Sequence, residues 1–271
     1  MHHVPGPYDT LAGVYEWLVP DQLLTPQGTV DAYAQVVETL DAGARILDCA
    51  AGTGQLAVGL ALHGYDVVAS DASAAMVART KALATQCGVD VPAVTCEWES
   101  LGRQGWQGSF DAVFCVGNSI AHAGPEPRRR AALATMRSVL RDGGLLVVTS
   151  RNWDLLRAQG SGLQVAHHLT QRGSDRALVI YGWNLPDGTD QPLHADVAVA
   201  LIADSGTVTT AAERLECWPF SDRELEADLR AVGLTPQSST YTDEVERYLV
   251  TARRLDVQGR AMSGTKGARI S

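Results

Sequence analysis

Lysine is almost missing from this 271-residue chain: Lys81 and Lys266 are the two present, and every other basic side chain is arginine. That usage speaks more of coding composition than of chemistry. Positive charge as a whole is short, with 22 Lys and Arg against 31 Asp and Glu and a net charge of −9. Long-range attraction to DNA, RNA or an anionic membrane is therefore not built into the chain. Cysteines number five, an odd count without a C-x-x-C pair, which argues against a disulfide framework and against a zinc site. No apolar run reaches the roughly 18 residues that span a bilayer, and Met1-His2-His3-Val4-Pro5-Gly6-Pro7 has no signal-like apolar stretch, so the expected address is the cytoplasm. What is present is ordinary globular composition, 45% apolar and 20% charged, enough for a sizeable core. The expected partner is a small molecule, not nucleic acid or a membrane, with homo-oligomerisation left open.

Residues 44–150 alternate short apolar runs with longer amphipathic segments, the pattern of βαβ units on a parallel sheet. Strands are expected at 44–49, 65–70, near 92–97, at 110–115 and at 145–150, with helices to about His63, over 73–86 and over 126–141. Beyond Ser150 the segments 163–170, 176–183, 195–203 and 207–217 read as antiparallel strands. Ser221-Asp222 caps an expected helix to about Val232, and 234–240 with 246–252 return as a hairpin. The expected organisation is a helical cover (1–43, with helices at 8–19 and 29–41), a binding core (44–154), an antiparallel insertion (155–218), the end of the core sheet (219–255) and a Gly-, Ser- and Arg-rich tail (256–271).

The most specific motif is Leu47-Asp48-Cys49-Ala50-Ala51-Gly52-Thr53-Gly54, between an apolar strand and an amphipathic helix. Small residues at 50, 52 and 54 let the backbone approach a ligand, and the helix start offers unpaired N–H groups. Asp71, at the end of the second strand, stands where a carboxylate can accept both hydrogen bonds of a ribose diol. The plainer reading is a tight turn, with Asp71 capping the helix that begins near Ser73. A dinucleotide dehydrogenase is the sharper competitor, but G-x-G-x-x-G spacing and Y-x-x-x-K are both absent.

On these residues the chain resembles a class I S-adenosylmethionine-dependent methyltransferase over about residues 8–252, which implies a Rossmann-like, seven-stranded doubly wound α/β sheet. Asp48, Ala50, Gly52 and Gly54 fall on the family's D-x-G-x-G-x-G loop, with Ala50 in place of its first glycine, and Asp71 on its ribose acid. Phe110 to His122, containing Val116-Gly117-Asn118-Ser119, and Arg151-Asn152-Trp153-Asp154 resemble glycine N-methyltransferase and its relatives. The resemblance implies Asn118 and Arg151 as acceptor-binding residues and His122 beside the cofactor. It places Ala72, Met76, Val116 and Gly117 along the cofactor, and Trp98 with Glu97 or Glu99 at the adenine. One departure concerns Trp17 to Leu24, where the glycine enzymes carry a Tyr and basic residues and this chain is mostly apolar. Such a lid suits a larger or less charged acceptor than glycine.

Methyl transfer is an in-line displacement that chiefly requires positioning, which can supply roughly 7–11 kcal/mol. An amine nucleophile must arrive neutral, and a histidine with a pKa near 6.5 can take its proton, so His122 is the candidate base. Tyr8 and Tyr15 are candidates to close over the sulfonium, against the alternative of helix packing at i, i+7. Tyr181 and Trp183 are candidates for the acceptor pocket, against one buried face of a strand. Arg151 has the alternative of pairing with Asp154, and Arg128, Arg129 and Arg130 are expected on a solvated helix face. His167, His168 and His194 are weaker candidates whose spacing makes no metal site. The expected reaction is N-methylation of a small molecule, with O- or C-methylation in specialised metabolism, a non-catalytic cofactor-binding protein and a nucleotide-dependent oxidoreductase as alternatives.

Overall fold

The structure, a computed structural model, describes residues 8–165, 169–186, 188 and 191–255. The expected tail at 256–271, the histidines His167 and His168, and Asp187 of an expected turn lie outside the described residues.

The chain opens with 3-10 turns at Ala12–Leu18 and Asp21–Leu23, then α1 (Pro26–Ala32) and α2 (Ala34–Val37). This corrects the expectation of two full helices. Pro20 lies in extended backbone between the two 3-10 turns, α1 starts on the Thr25 cap with Pro26 behind it, and Tyr33 at φ −114° separates α1 from α2.

The core follows as β1 (Arg45–Asp48), α3 (Gln55–Leu62), β2 (Asp66–Asp71), α4 (Ala74–Cys87), β3 (Ala93–Thr95), β4 (Phe110–Cys115), α5 (Glu126–Val139) and β5 (Leu140–Arg151). A 3-10 turn at Trp98–Gln104 follows β3, and another at Ser119–His122 follows β4. The helix expected to run to 141 stops at Val139, because Leu140 turns extended (ψ 140°) and pairs with Phe110 of β4. The two glycines at 143 and 144 therefore lie inside β5, beside a register shift, and not at a helix end.

After β5 comes a helix not foreseen, α6 (Trp153–Gln159), capped by the Asn152 side chain, which accepts from Leu155 N–H at 3.1 Å. The insertion consists of β6 (Gly162–Val165), β7 (Thr170–Arg172), β8 (Asp175–Asn184), β9 (Leu193–Ile202) and β10 (Val208–Cys217). The chain returns through α7 (Asp222–Ala231), β11 (Leu234–Ser239) and β12 (Arg247–Arg254). Ser221 and Glu224 form a reciprocal capping box at the start of α7.

The main sheet has the order β11-β12-β5-β4-β1-β2-β3. β1 to β5 are mutually parallel, while β12 runs antiparallel to both β5 and β11. The second sheet is antiparallel, β10-β9-β8-β6, with β7 also on β8. Its inner face shares one core with the main sheet: Trp183, Leu193, Val197, Leu215 and Cys217 pack with Cys115, Leu146 and Trp153. Trp218 N–H donates to Ala121 O at 2.8 Å, tying the end of the insertion to the turn after β4. No helix among the described residues is long and apolar enough to cross a membrane.

Candidate active site

The loop after β1 is held from several sides. Ala51 N–H donates to Ser70 O at 3.0 Å, Gly52 N–H to Asp71 Oδ2 at 2.8 Å, and Trp98 Nε1–H to Cys49 O at 2.8 Å. Thr80 Oγ1 donates to Gly52 O at 2.9 Å, fixing the loop on α4. The two glycines have different reasons to be glycine. Gly52 (φ +55°) faces open space, with nothing within 4 Å of where a Cβ would stand. Gly54 (φ +87°) is closed against α4, where a Cβ would meet Thr80 Cγ2 at 2.8 Å. Gly54 thus serves packing, while Gly52 leaves room for a ligand.

A cavity of about 280 Å³ opens beside this loop, lined by Ala50, Asp71, Ala72, Glu97, Trp98 and Glu99 among others. With Tyr8, seven of the expected cofactor residues therefore line one cavity. Asp48, Gly52, Gly54, Met76 and Val116 do not line this cavity, and Met76 and Val116 are buried core. Asp71 does the plainer job as well: its Oδ1 accepts from Ser73 N–H at 2.9 Å, while Ser73 itself caps α4. Burial raises the Asp71 pKa, opposed by the hydrogen bonds from Ser73 and Gly52. Arg128 is exposed, as expected, and reaches the edge of this cavity.

Asp48 lies under the loop, 1% exposed, with Oδ1 lacking a hydrogen-bond partner in the protein. Burial pushes its pKa from 3.8 up to about 7, partly offset by the N–H of Ala50. The folded chain then binds more protons than the unfolded chain between pH 4 and 7, so this group lowers stability as pH rises through that window. Asp48→Asn should therefore leave stability unchanged at pH 4 and raise it relative to wild type at pH 8, read as urea midpoints across pH. A difference independent of pH would refute the assignment.

A second cavity, of about 420 Å³, lies between the main sheet, the insertion and the N-terminal turns. Gly117, Asn118, Arg151, Tyr181 and Trp183 all line it, as does Tyr15. Tyr181 and Trp183 are stacked, with centroids 5.9 Å apart and planes 7° from parallel, and the Arg151 guanidinium lies 4.9 Å from the Trp183 centroid. Asp154 turns instead to Arg157, at 3.7 Å. Asn118, in the left-handed region at φ +72°, accepts from Arg151 N–H on its Oδ1 at 2.8 Å, so that atom positions the end of β5. Leu18, Val19 and Leu23 supply the apolar lid. His194 lines neither of these cavities.

Sequence reasoning missed Arg247. It stands at the exposed rim of the second cavity on β12, directly opposite Arg151 of β5. The one signal available was its place in a strand expected to rejoin the main sheet.

Tyr8 and His122 line both cavities and form the seam between them. Tyr8 is also at positive φ (+69°), with its N–H on Glu213 Oε1 at 2.6 Å. Its ring meets Tyr15 and His122 edge-on, at 5.8 and 5.5 Å between centroids. His122 Nδ1 is 2.7 Å from Glu216 O and Nε2 is 3.2 Å from Tyr8 Oη. A carbonyl can only accept, so Nδ1 carries the proton and Nε2 offers its lone pair to the Tyr8 hydroxyl. Burial lowers the pKa of His122 and raises that of Tyr8, so the pair rests as neutral imidazole and neutral phenol.

A methyltransferase domain model matches residues 46–144. That stretch contains the β1 loop, Asp71, Trp98 and the β4 turn. Over those residues the core of the chain matches a methyltransferase domain. The chain is 40% identical over 123 residues to the glycine/sarcosine N-methyltransferase of Parasynechococcus marenigrum (strain WH8102), a match covering 45% of this chain and 43% of that protein. It thus spans under half the length of this relative. Among solved structures, the CcbJ methyltransferase from Streptomyces caelestis superimposes with a TM-score of 0.72 at 20% identity, covering 92% of this chain and 97% of that one. The sugar N-methyltransferase KedS8 from Streptoalloteichus sp ATCC 53650 gives 0.70 at 22% identity, covering 94% and 96%. The methyltransferase fold therefore includes the insertion and the N-terminal cover as well as the core.

The first cavity fits the domain's cofactor. Asp71 and Trp98 line it with a carboxylate and an indole, the chemistry a ribose diol and an adenine ring call for, and the neighbouring Gly52 has open space on its Cβ side.

Proposed function

We propose that this chain is a small-molecule N-methyltransferase that uses S-adenosylmethionine. One observation carries the reading: a cofactor cavity and an acceptor cavity meet at Tyr8 and His122, which line both. Asp71 would hold the ribose, Trp98 with Glu97 or Glu99 the adenine, and Ala50 and Gly52 the amino-acid end. When bound, the cofactor supplies an electrophilic methyl group on a sulfonium. Tyr8 and Tyr15 turn aromatic surface toward that junction, and the lid of Leu18, Val19 and Leu23 excludes water. His122 is the base: the acceptor amine gives its proton to Tyr8 Oη while the Tyr8 proton passes to His122 Nε2. Similarity to a glycine/sarcosine N-methyltransferase and a sugar N-methyltransferase supports nitrogen as the acceptor atom.

The test is calorimetric titration of S-adenosylmethionine, S-adenosylhomocysteine and NAD into wild type and Asp71→Ala. Wild type should bind the first two and not NAD. The variant should bind about 100-fold more weakly, from the loss of charge-assisted hydrogen bonds worth about 3 kcal/mol. Preference for NAD, or no binding of either sulfur compound, would overturn the reading.

A further inference from the structure

We propose that Glu213 is a positioning residue for the Tyr8–His122 pair, and that strand β10 sets both members of that pair from one side. The inference rests on the methyltransferase reading and adds a residue that touches neither substrate nor cofactor. In β10 the side chains of Ala211, Glu213, Leu215 and Cys217 fall on one face, where the register sets them against Val199, Val197, Ala195 and Leu193 of β9. Those four partners are buried, as are Leu215 and Cys217. Glu213 is therefore a carboxylate on an otherwise apolar inner face. Its Oε2 is buried and has no hydrogen-bond partner among the described residues, and no cation among them pairs with it. Its Oε1 accepts from the N–H of Tyr8.

A carboxylate so placed costs stability unless it makes a strong bond, and the bond to Tyr8 N–H, at 2.6 Å, is short and charge-assisted. What that bond holds is an unfavourable backbone. Tyr8 stands at φ +69°, a region that a bulky side chain keeps only where its surroundings fix it. In that conformation the Tyr8 ring meets His122 edge-on, 5.5 Å between centroids, and Oη comes within 3.2 Å of Nε2. Three residues along the same strand, Glu216 O accepts from His122 Nδ1 at 2.7 Å. The phenol and the imidazole lie 114 residues apart in sequence, and β10 holds the first through a side chain and the second through a carbonyl. Leu215 and Cys217, on the face that Glu213 shares, line the acceptor cavity. One strand thus supports the acceptor wall and the proton path together.

The experiment uses the full chain saturated with S-adenosylhomocysteine and isotopically labelled on tyrosine and histidine. Wild type should show a nuclear Overhauser effect between the Tyr8 and His122 rings, assigned by its loss in Tyr8→Phe. Glu213→Gln keeps a side-chain oxygen at the same reach and should keep that contact. Glu213→Asp keeps the charge but ends one methylene short, and should lose it. In turnover, with sarcosine as the first amine offered, Glu213→Asp should lower kcat by about 10²-fold, the cost of a group displaced by about 1 Å, while Glu213→Gln keeps most of it. The double variant Glu213→Asp/Tyr8→Phe should be no slower than the slower single variant, because the two residues act as a unit. Losses that multiply would show that Glu213 serves the fold alone and would overturn the proposal. So would a ring contact retained in Glu213→Asp, or a reversed order of the Gln and Asp variants. If wild type leaves sarcosine unmethylated, the ring contacts decide between the same two outcomes. Failure to bind S-adenosylhomocysteine would instead overturn the methyltransferase reading, and the ring contact of the unliganded chain still tests Glu213.

Discussion

His122→Asn should lower kcat for methyl transfer by about 10²–10⁴-fold, the range for losing a positioned base, with S-adenosylhomocysteine affinity unchanged. Asparagine is the informative replacement because its amide N–H can keep the Nδ1 bond to Glu216 O while removing the basic Nε2. The turn at Ser119–His122 then stays tied to β10 and the cavities keep their shape. In wild type, the pKa of His122 lies below 6.5 through burial, so the acid limb of kcat/KM should fall below pH 6.5, and activity should be level from there to neutrality. Tyr8→Phe interrupts the same path one atom earlier and should lower kcat without moving that limb upward. A full kcat in His122→Asn would mean that the amine sheds its proton to solvent, leaving positioning as the whole of the catalysis.

Asp228→Ala should destabilise the fold by about 3–5 kcal/mol, the cost of leaving a buried charge without its partner. Asp228 in α7 is 1% exposed and uses both carboxylate oxygens, for Arg129 Nε at 2.6 Å and Arg130 Nε at 2.7 Å. Arg129 is 4% exposed in α5 and lies over Phe220, with its guanidinium 4.6 Å from the ring centroid. Against a typical total of about 5–15 kcal/mol, that loss is a large share, and a melting temperature lower by about 10 °C is expected. The double variant Arg129→Met/Asp228→Leu should recover most of it, since an apolar pair of similar volume avoids the desolvation of two ions. Arg130 keeps Glu126 and its exposure in that variant. A fall of only a few tenths of a kcal/mol in Asp228→Ala would show that water reaches Arg129.

The Arg128-Arg129-Arg130 run shows where local reading misled. Three consecutive arginines at a helix start look solvated, and nothing nearby in the chain announces Asp228. Only the packing of α7 on α5 buries the middle one. Arg247 was invisible for the same reason: in sequence it is one more arginine, and the antiparallel register makes it the neighbour of Arg151. By contrast, β4 at Phe110–Cys115 and the Ser221 cap of α7 were legible to the residue, because an apolar run and a capping side chain act within a few residues of themselves. The N-terminal cover fell between these cases. Its apolar residues pack on the insertion and core, and that packing, with Pro20 and Pro26, shaped 3-10 turns and short helices out of segments that read as two longer helices.

Of the candidate site, local periodicity located the ends of the core strands and with them the β1 loop and Asp71, while Trp98, the Gly117-Asn118 turn and Arg151 were singled out by the family resemblance at those strand ends. It also determined that an antiparallel insertion and a returning hairpin complete the fold. The tertiary structure decided what those residues face. It divided Gly52 from Gly54 by what stands over each, set the proton of His122 through a carbonyl of β10, placed Tyr8 between two cavities, and opposed two arginines across β5 and β12. Hydrophobic pattern acts within a segment and can be read there, whereas burial, tautomer and like-charge opposition arise only when distant segments are brought within a few ångströms by the packing of the whole chain.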